Sequence, residues 1–277
     1  MKHLLQLLFI SVFALALSVN AQDNKNSSIE ADEILPQLQN LTSISEFFKL
    51  HDVAYYANIP NVPVKALEYK GDHKIAANMG VYLADMVYVM GTEGYKTADE
   101  NYGAVMQLAE KAGLDDEFPD LVIERYTNQN ISVDSVVNML NTALDNSEKK
   151  LSADDKKEFY DFMLFGNYME KLYTISSLLV KYEDSDLPEA AVADLNRSLL
   201  LMMAKQKQPL EELSKLMIGY SSNIVDHKEI RQLIKNYEKL AASKDKILKL
   251  KPADIYKAKE ITTIESEVKK IRDRIVK

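Results

Sequence analysis

The chain has no cysteine and no tryptophan, and only 8 glycines and 7 prolines among its 277 residues. Without cysteine there is no disulfide, no thiolate metal site, no cysteine nucleophile and no lipidated cysteine of the bacterial lipoprotein kind. The loops G-x-S-x-G, G-x-G-x-x-G and G-x-x-x-x-G-K are missing, as are H-E-x-x-H and calcium-loop spacing, which removes the common signatures of hydrolases, nucleotide binders and zinc or calcium sites. Strand-like alternation never lasts more than a few residues, and there is no Asn-Gly or Asp-Gly hairpin turn. These absences exclude a β-rich fold and leave no catalytic signature.

What is present begins at the N-terminus. Met1-Lys2-His3 precedes an almost charge-free run, Leu4–Leu17, closed by Ser18-Val19-Asn20-Ala21. A positive start, an apolar stretch and small residues three and one before a break form a secretory signal peptide, with cleavage expected after Ala21. The run is shorter than the ~20 residues a spanning helix needs, and no later stretch is long enough. We therefore expect residues 1–21 to be a signal peptide, 22–42 a polar tether, 43–224 a helical core domain and 225–277 a basic C-terminal helical hairpin packed on that core. The mature product is expected to be periplasmic or secreted, soluble and without a membrane span.

Charge is unevenly spread. From Asp226 to Lys277 there are 15 Lys+Arg against 9 Asp+Glu, within a chain whose formal net charge is −8. Basic and acidic residues alternate there instead of forming a block, so the segment reads as one that docks on an acidic body. Nucleic acid is not expected as a partner of an exported acidic protein. The expected partner is another protein or an envelope component, and no cofactor is implied.

The few prolines and glycines fall between stretches of helical spacing. They predict helices over 43–58 (Ser43 capping, Glu46 three residues on), 73–90, 95–112 and 119–128. Further helices follow from Ser132, over 152–182 (Ser152 with Asp155), from the Asp186-Leu187-Pro188-Glu189 capping box to 206, and after Pro209. The last two cover 226–250 and 252–276. Val133, Val136, Val137, Leu140 and Leu144 line one face, and Ile261, Ile264, Val268, Ile271 and Ile275 form a narrow seam expected to pack on a neighbouring helix. The fold expected is all-α, a multi-helix bundle or irregular α-α hairpin array of about 9–10 helices with a C-terminal antiparallel pair.

Candidate functional residues come from polarity out of place. The run Met79–Met90 is apolar on every side and belongs in an interior, yet Asp85 sits at its centre. A buried carboxylate needs a partner or donors, and Arg125 is the counter-ion expected. Asn167 and Glu170 lie in an equally apolar run, beside a mid-helix Gly166 that costs about 1 kcal/mol against Ala and implies close approach of another backbone or a ligand. Asp85, Arg125, Asn167 and Glu170, with Tyr82, Tyr88, Tyr168 and Tyr173, thus form a candidate buried polar cluster or pocket. A structural network that fixes helix packing is the main reading of it; a small-molecule pocket is the alternative, and acid–base catalysis by Asp85 and Glu170 comes third. His51, His73 and His227 each adjoin an aspartate near a helix end and read as surface or capping residues, not metal ligands.

The runs Gly80–Tyr88 and Leu108–Leu114, then Glu124-Arg125, Asn130, Ser132–Ser135 and Phe165–Tyr173, resemble a family of exported all-helical proteins and lipoproteins of Gram-negative bacteria that has no assigned activity. The resemblance spans roughly residues 43–210. Phe165 and Tyr168 stand where that pattern has Gly and Trp. It implies fold and export, not a reaction. The function expected is non-catalytic, either binding or structural, through protein–protein contacts.

Overall fold

Helix α1 (Thr42–Leu50) delivers the chain to a largely irregular strap, residues 53–70, and then to α2 (Asp72–Gly91), in which every residue from Ile75 to Met90 is buried. The computed structural model describes residues 42–51, 53–92, 95–119, 131–181 and 188–277. After α2 come α3 (Tyr95–Ala112), α4 (Val133–Ala153) and α5 (Lys157–Lys181), the last buried from Phe159 to Leu179. They are followed by α6 (Glu189–Ala204), α7 (Lys207–Met217), α8 (His227–Ile247), the single turn α9 (Pro252–Ile255) and α10 (Lys259–Val276). Of the described residues 79% are helical and none lies in a strand, so the all-α expectation holds.

Two helices this apolar must lie side by side in the centre, and α2 packs on α5 more extensively than any other pair. The approach is close because a Cβ at Gly80 would overlap the Met163 carbonyl, and one at Gly166 the Ala77 carbonyl. The mid-helix glycine therefore admits a backbone, as its cost in the sequence implied. Around this axis α3 and α1 cover α2, while α10, α6, α4 and α7 cover α5.

Helix boundaries follow local chemistry. Ser132 caps α4 by accepting from Ser135 N–H at 3.2 Å, and Asp226 caps α8 from Lys228 N–H at 2.9 Å. Four expectations are corrected. The first helix stops at Leu50, not 58: residues 53–56 have no regular structure, and the Tyr56 N–H goes to Tyr88 Oη at 2.8 Å instead of to a helical carbonyl. The expected start at Ser152 is instead the last turn of α4: Asp155 adopts φ 59° and Lys156 N–H bonds the Leu151 carbonyl at 2.7 Å, a Schellman-type stop that consumes the supposed cap. The final helix is split, since Lys257 and Ala258 N–H groups turn back onto Asp254 and Ile255 carbonyls at 3.1 Å before α10 starts at Lys259. The expected helix over 119–128 lies, but for Pro119, outside the described residues, as do Asp186, the signal peptide and most of the tether; α6 itself is capped by Pro188 and starts at Glu189, not at the Asp186 box.

The seam residues Ile261, Ile264, Val268, Ile271 and Ile275 are all at most 1% exposed, and α10 packs on both α5 and α8. Asn236 meets Glu267, and Glu229 meets Lys270 and Arg274, so the positions run in opposite senses and α8 and α10 are antiparallel. Many cations of this segment pair with its own acids: Lys269 and Lys277 with Asp273, Lys257 with Asp254, Arg274 with Asp226. The C-terminal carbonyls of α10 are satisfied from α2 and the strap, by Lys74 Nζ (2.6 and 3.0 Å), Asn78 Nδ2 (2.7 Å) and Tyr69 Oη (3.1 Å).

Candidate functional site

Asp85 and Glu170 meet where α2 and α5 run side by side, and both are wholly buried. Both oxygens of Glu170 accept from one guanidinium: Arg272 Nε at 2.7 Å to Oε2 and Nη2 at 2.9 Å to Oε1. Arg272 comes from α10. Its Nη2 also reaches the Ile59 carbonyl at 3.3 Å, and its planar group lies 4.3 Å from the centre of the Tyr173 ring. The two-point geometry is the strongest form of a carboxylate–guanidinium contact.

Asp85 completes the group. Its Oδ2 accepts the Asn61 N–H at 2.8 Å, while its buried Oδ1 meets no donor and has the Glu170 carboxyl as its neighbour. Burial, then the neighbouring Glu170, push the Asp85 pKa well above the usual carboxylate range; Arg272 and the Asn61 N–H pull the other way without cancelling the rise. Burial works against the charge on Arg272, but the Glu170 carboxylate more than offsets it, and the Arg272 pKa is raised. The consistent assignment is one proton on Asp85, donated to Glu170, and one ion pair between Glu170 and Arg272. Two carboxyls and one guanidinium then carry no net charge, which is how such a group tolerates a dry interior.

Tyr82 and Tyr173 belong to this cluster, Tyr82 through its hydroxyl on the Val62 carbonyl at 2.8 Å. The others do not. Tyr88 serves the start of the strap and packs edge-on against Phe48, with ring centres 5.3 Å apart. Tyr168 points to the far side of α5, where its hydroxyl donates to Gln206 Oε1 at 2.8 Å. Asn167 donates to the Gly80 carbonyl at 3.4 Å instead of joining the carboxyls. Arg125 lies outside the described residues; among those described, the cation that faces Asp85 and Glu170 is Arg272.

Arg272, Asn61 and Tyr69 were not foreseen. The signal for Arg272 was present, because it and Val276 follow Val268 at helical spacing and widen the buried stripe of α10 beyond its isoleucine seam. Asn61 and Tyr69 carried no such signal, since an irregular segment has no period to read. His73 stacks on Phe162 at 4.0 Å and pairs with Glu158 at 2.8 Å; His227 lies 3.4 Å from the Tyr220 carbonyl, and His51 rests against Phe47. Among the described residues no group of three or more His, Asp or Glu is arranged to hold a metal.

Neither of two surface grooves reaches the cluster. One, of 680 Å³, lies between Lys74, Ile224, Lys270 and Arg274; the other, of 520 Å³, lies between Met106, Glu110, Asp116 and Phe118. No helix among the described residues is long and apolar enough to cross a membrane. The chain matches no protein-family model, no curated protein and no solved structure.

Proposed function

We propose that this chain is an exported, non-catalytic binding protein that works through protein–protein contacts with another protein or an envelope component. The observation that supports this reading is the state of the buried carboxyls: Glu170 gives both oxygens to Arg272, and Asp85 is engaged by Asn61 and Glu170. Groups committed to one another in a dry core fix helix packing and leave no acid or base presented to a substrate. What the molecule offers outward is the strap, where Val62, Val64 and Leu67 are 53–64% exposed on a backbone tied down from beneath. The signal-like N-terminus and the resemblance to exported helical proteins agree with this reading.

The test is photo-crosslinking in the native compartment from a photoreactive residue at position 64, with position 201 on α6 as the control. A discrete adduct from position 64, lost in a Val62→Ser/Leu67→Ser background that melts normally, supports the reading. Crosslinks equally frequent at both positions, or none, reject it.

Small-molecule binding at the cluster is the second reading, and one observation favours it: a strap, not a helix, covers the carboxyls on one side. A ligand that raises the melting temperature of the wild type but not of Glu170→Gln would establish it in place of the first.

A further inference from the structure

The strap runs antiparallel to α2 and is fastened to it by side chains, with no backbone ladder. Tyr56 N–H bonds Tyr88 Oη, Asn61 N–H bonds Asp85 Oδ2, and Tyr82 Oη bonds the Val62 carbonyl, each at 2.8 Å. At its centre both kinds of backbone group go to the buried cluster, since the Ile59 carbonyl accepts from Arg272 while Asn61 donates to Asp85. Val53, Ile59, Ala66 and Tyr69 plug the strap into the core, and its outer face carries the exposed Val62, Val64 and Leu67.

We propose that this strap is a proton-controlled lid, shut while Asp85 is protonated and loosened when that proton is lost, which opens a water path to the Glu170–Arg272 pair. Loss of the proton leaves two carboxylates in contact against a single guanidinium, in a space that excludes water. Like charges so placed separate or become hydrated. The helical walls resist, because Gly80 and Gly166 lock α2 and α5 backbone to backbone and the α10 seam is fully buried. The strap, held by scattered hydrogen bonds, is the wall that gives.

The charged and titratable groups around Asp85 fit this direction. Glu170 and Tyr173 face it from α5, Arg272 from α10, Tyr82 from its own helix and Tyr69 from the strap. Lys111 of α3 is spent on the far end of the strap, on the Ala66, Leu67 and Tyr69 carbonyls at 2.8, 3.3 and 3.3 Å, and holds that end in either state. Burial and Glu170 together raise the Asp85 pKa, so the proton is lost, and the lid opens, as pH rises.

Amide hydrogen exchange between pH 5 and 9, corrected for intrinsic base catalysis, tests the lid. Protection of the Asn61 amide should fall with rising pH by up to about tenfold per unit, the limit for one linked proton, while amides in the middle of α2 and α5 keep theirs. The neutral variant Asp85→Asn should hold Asn61 protection flat. A wild-type profile in which Asn61 shows no pH dependence overturns the proposal, as does one in which the α2 and α5 amides lose protection in parallel, which is global unfolding. The wild-type profile decides by itself if the variant does not fold.

Discussion

Gly80 of α2 and Gly166 of α5 are matched: each lacks the Cβ that would overlap a carbonyl three residues earlier on the opposite helix, Met163 for Gly80 and Ala77 for Gly166. A methyl at either place must push two backbones apart, and backbone cannot rotate aside as a side chain can. Gly80→Ala and Gly166→Ala should each lower stability by about 3 kcal/mol, the upper part of the range for overpacking. Their costs should not add, since one displaced helix relieves both clashes. Gly103, in the interior of α3 with open space where its Cβ would stand, is the counter-case. Gly103→Ala should gain about 0.5–1 kcal/mol. Urea midpoints of the three variants measure the contrast, and a tolerated alanine at position 166 would contradict the close approach.

That glycine shows what a single sequence reveals. Gly166 was legible as a close approach because a helix former was expected there and its absence had a cost. Asp85 was legible as buried because α2 has no polar side on which to turn it outward. Its partner was not legible in the same way. Arg272 lies far along the chain, on a helix whose polar face carries other cations, and periodicity assigns a residue to a face without naming what that face meets. The boundary errors share a cause: Asp155 and Tyr56 were placed by a left-handed turn and by a hydroxyl from another helix, and neither leaves a mark on local spacing.

The protonation of Asp85 makes stability depend on pH in a stated direction. Its folded pKa is raised, so its contribution is full below the unfolded value of 3.8 and is lost as pH rises through the folded value. Asp85→Asn mimics the protonated acid, with a donor for Glu170 and an acceptor for the Asn61 N–H. The variant should match the wild type near pH 4 and exceed it increasingly as pH rises, by at most about 1.4 kcal/mol per pH unit, the limit for one linked proton. Urea unfolding of both proteins across this range gives the difference directly. A difference that stays constant with pH would show that Asp85 is ionised throughout.

Breaking the ion pair from its two ends should not cost the same. Arg272→Met leaves both carboxyls buried with no cation, removes the donor to the Ile59 carbonyl and uncovers Tyr173. A loss of about 4 kcal/mol at pH 7 is expected, as for a buried pair deprived of one partner. Glu170→Gln leaves Arg272 facing Asp85, which can ionise and replace the missing charge, so a loss of about 2 kcal/mol is expected. Equal losses from the two variants would mean that Asp85 does not respond, and the three side chains would then be an isolated pair beside a spectator.

Lys171, next in sequence to Glu170 and 7% exposed, is the remaining buried cation of α5, and burial lowers its pKa from 10.5 to about 7. A base whose folded pKa is depressed costs stability wherever the folded protein must hold the charge. Below pH 7 that cost is complete; between about 7 and 10.5 the unfolded chain binds the extra proton and stability rises with pH. Lys171→Met keeps the aliphatic stem and removes the charge, so the rise in stability between about pH 7 and 10.5 should disappear from the variant. The stability of the variant relative to the wild type should fall as pH rises from about 7 to 10.5, opposite in sign to the trend that Asp85 produces. Urea midpoints at pH 6, 8 and 10 read both the size and the slope. A variant less stable than the wild type at pH 6 would mean that polar contacts of the ammonium outweigh its burial, and that Lys171 belongs to the polar framework of the core.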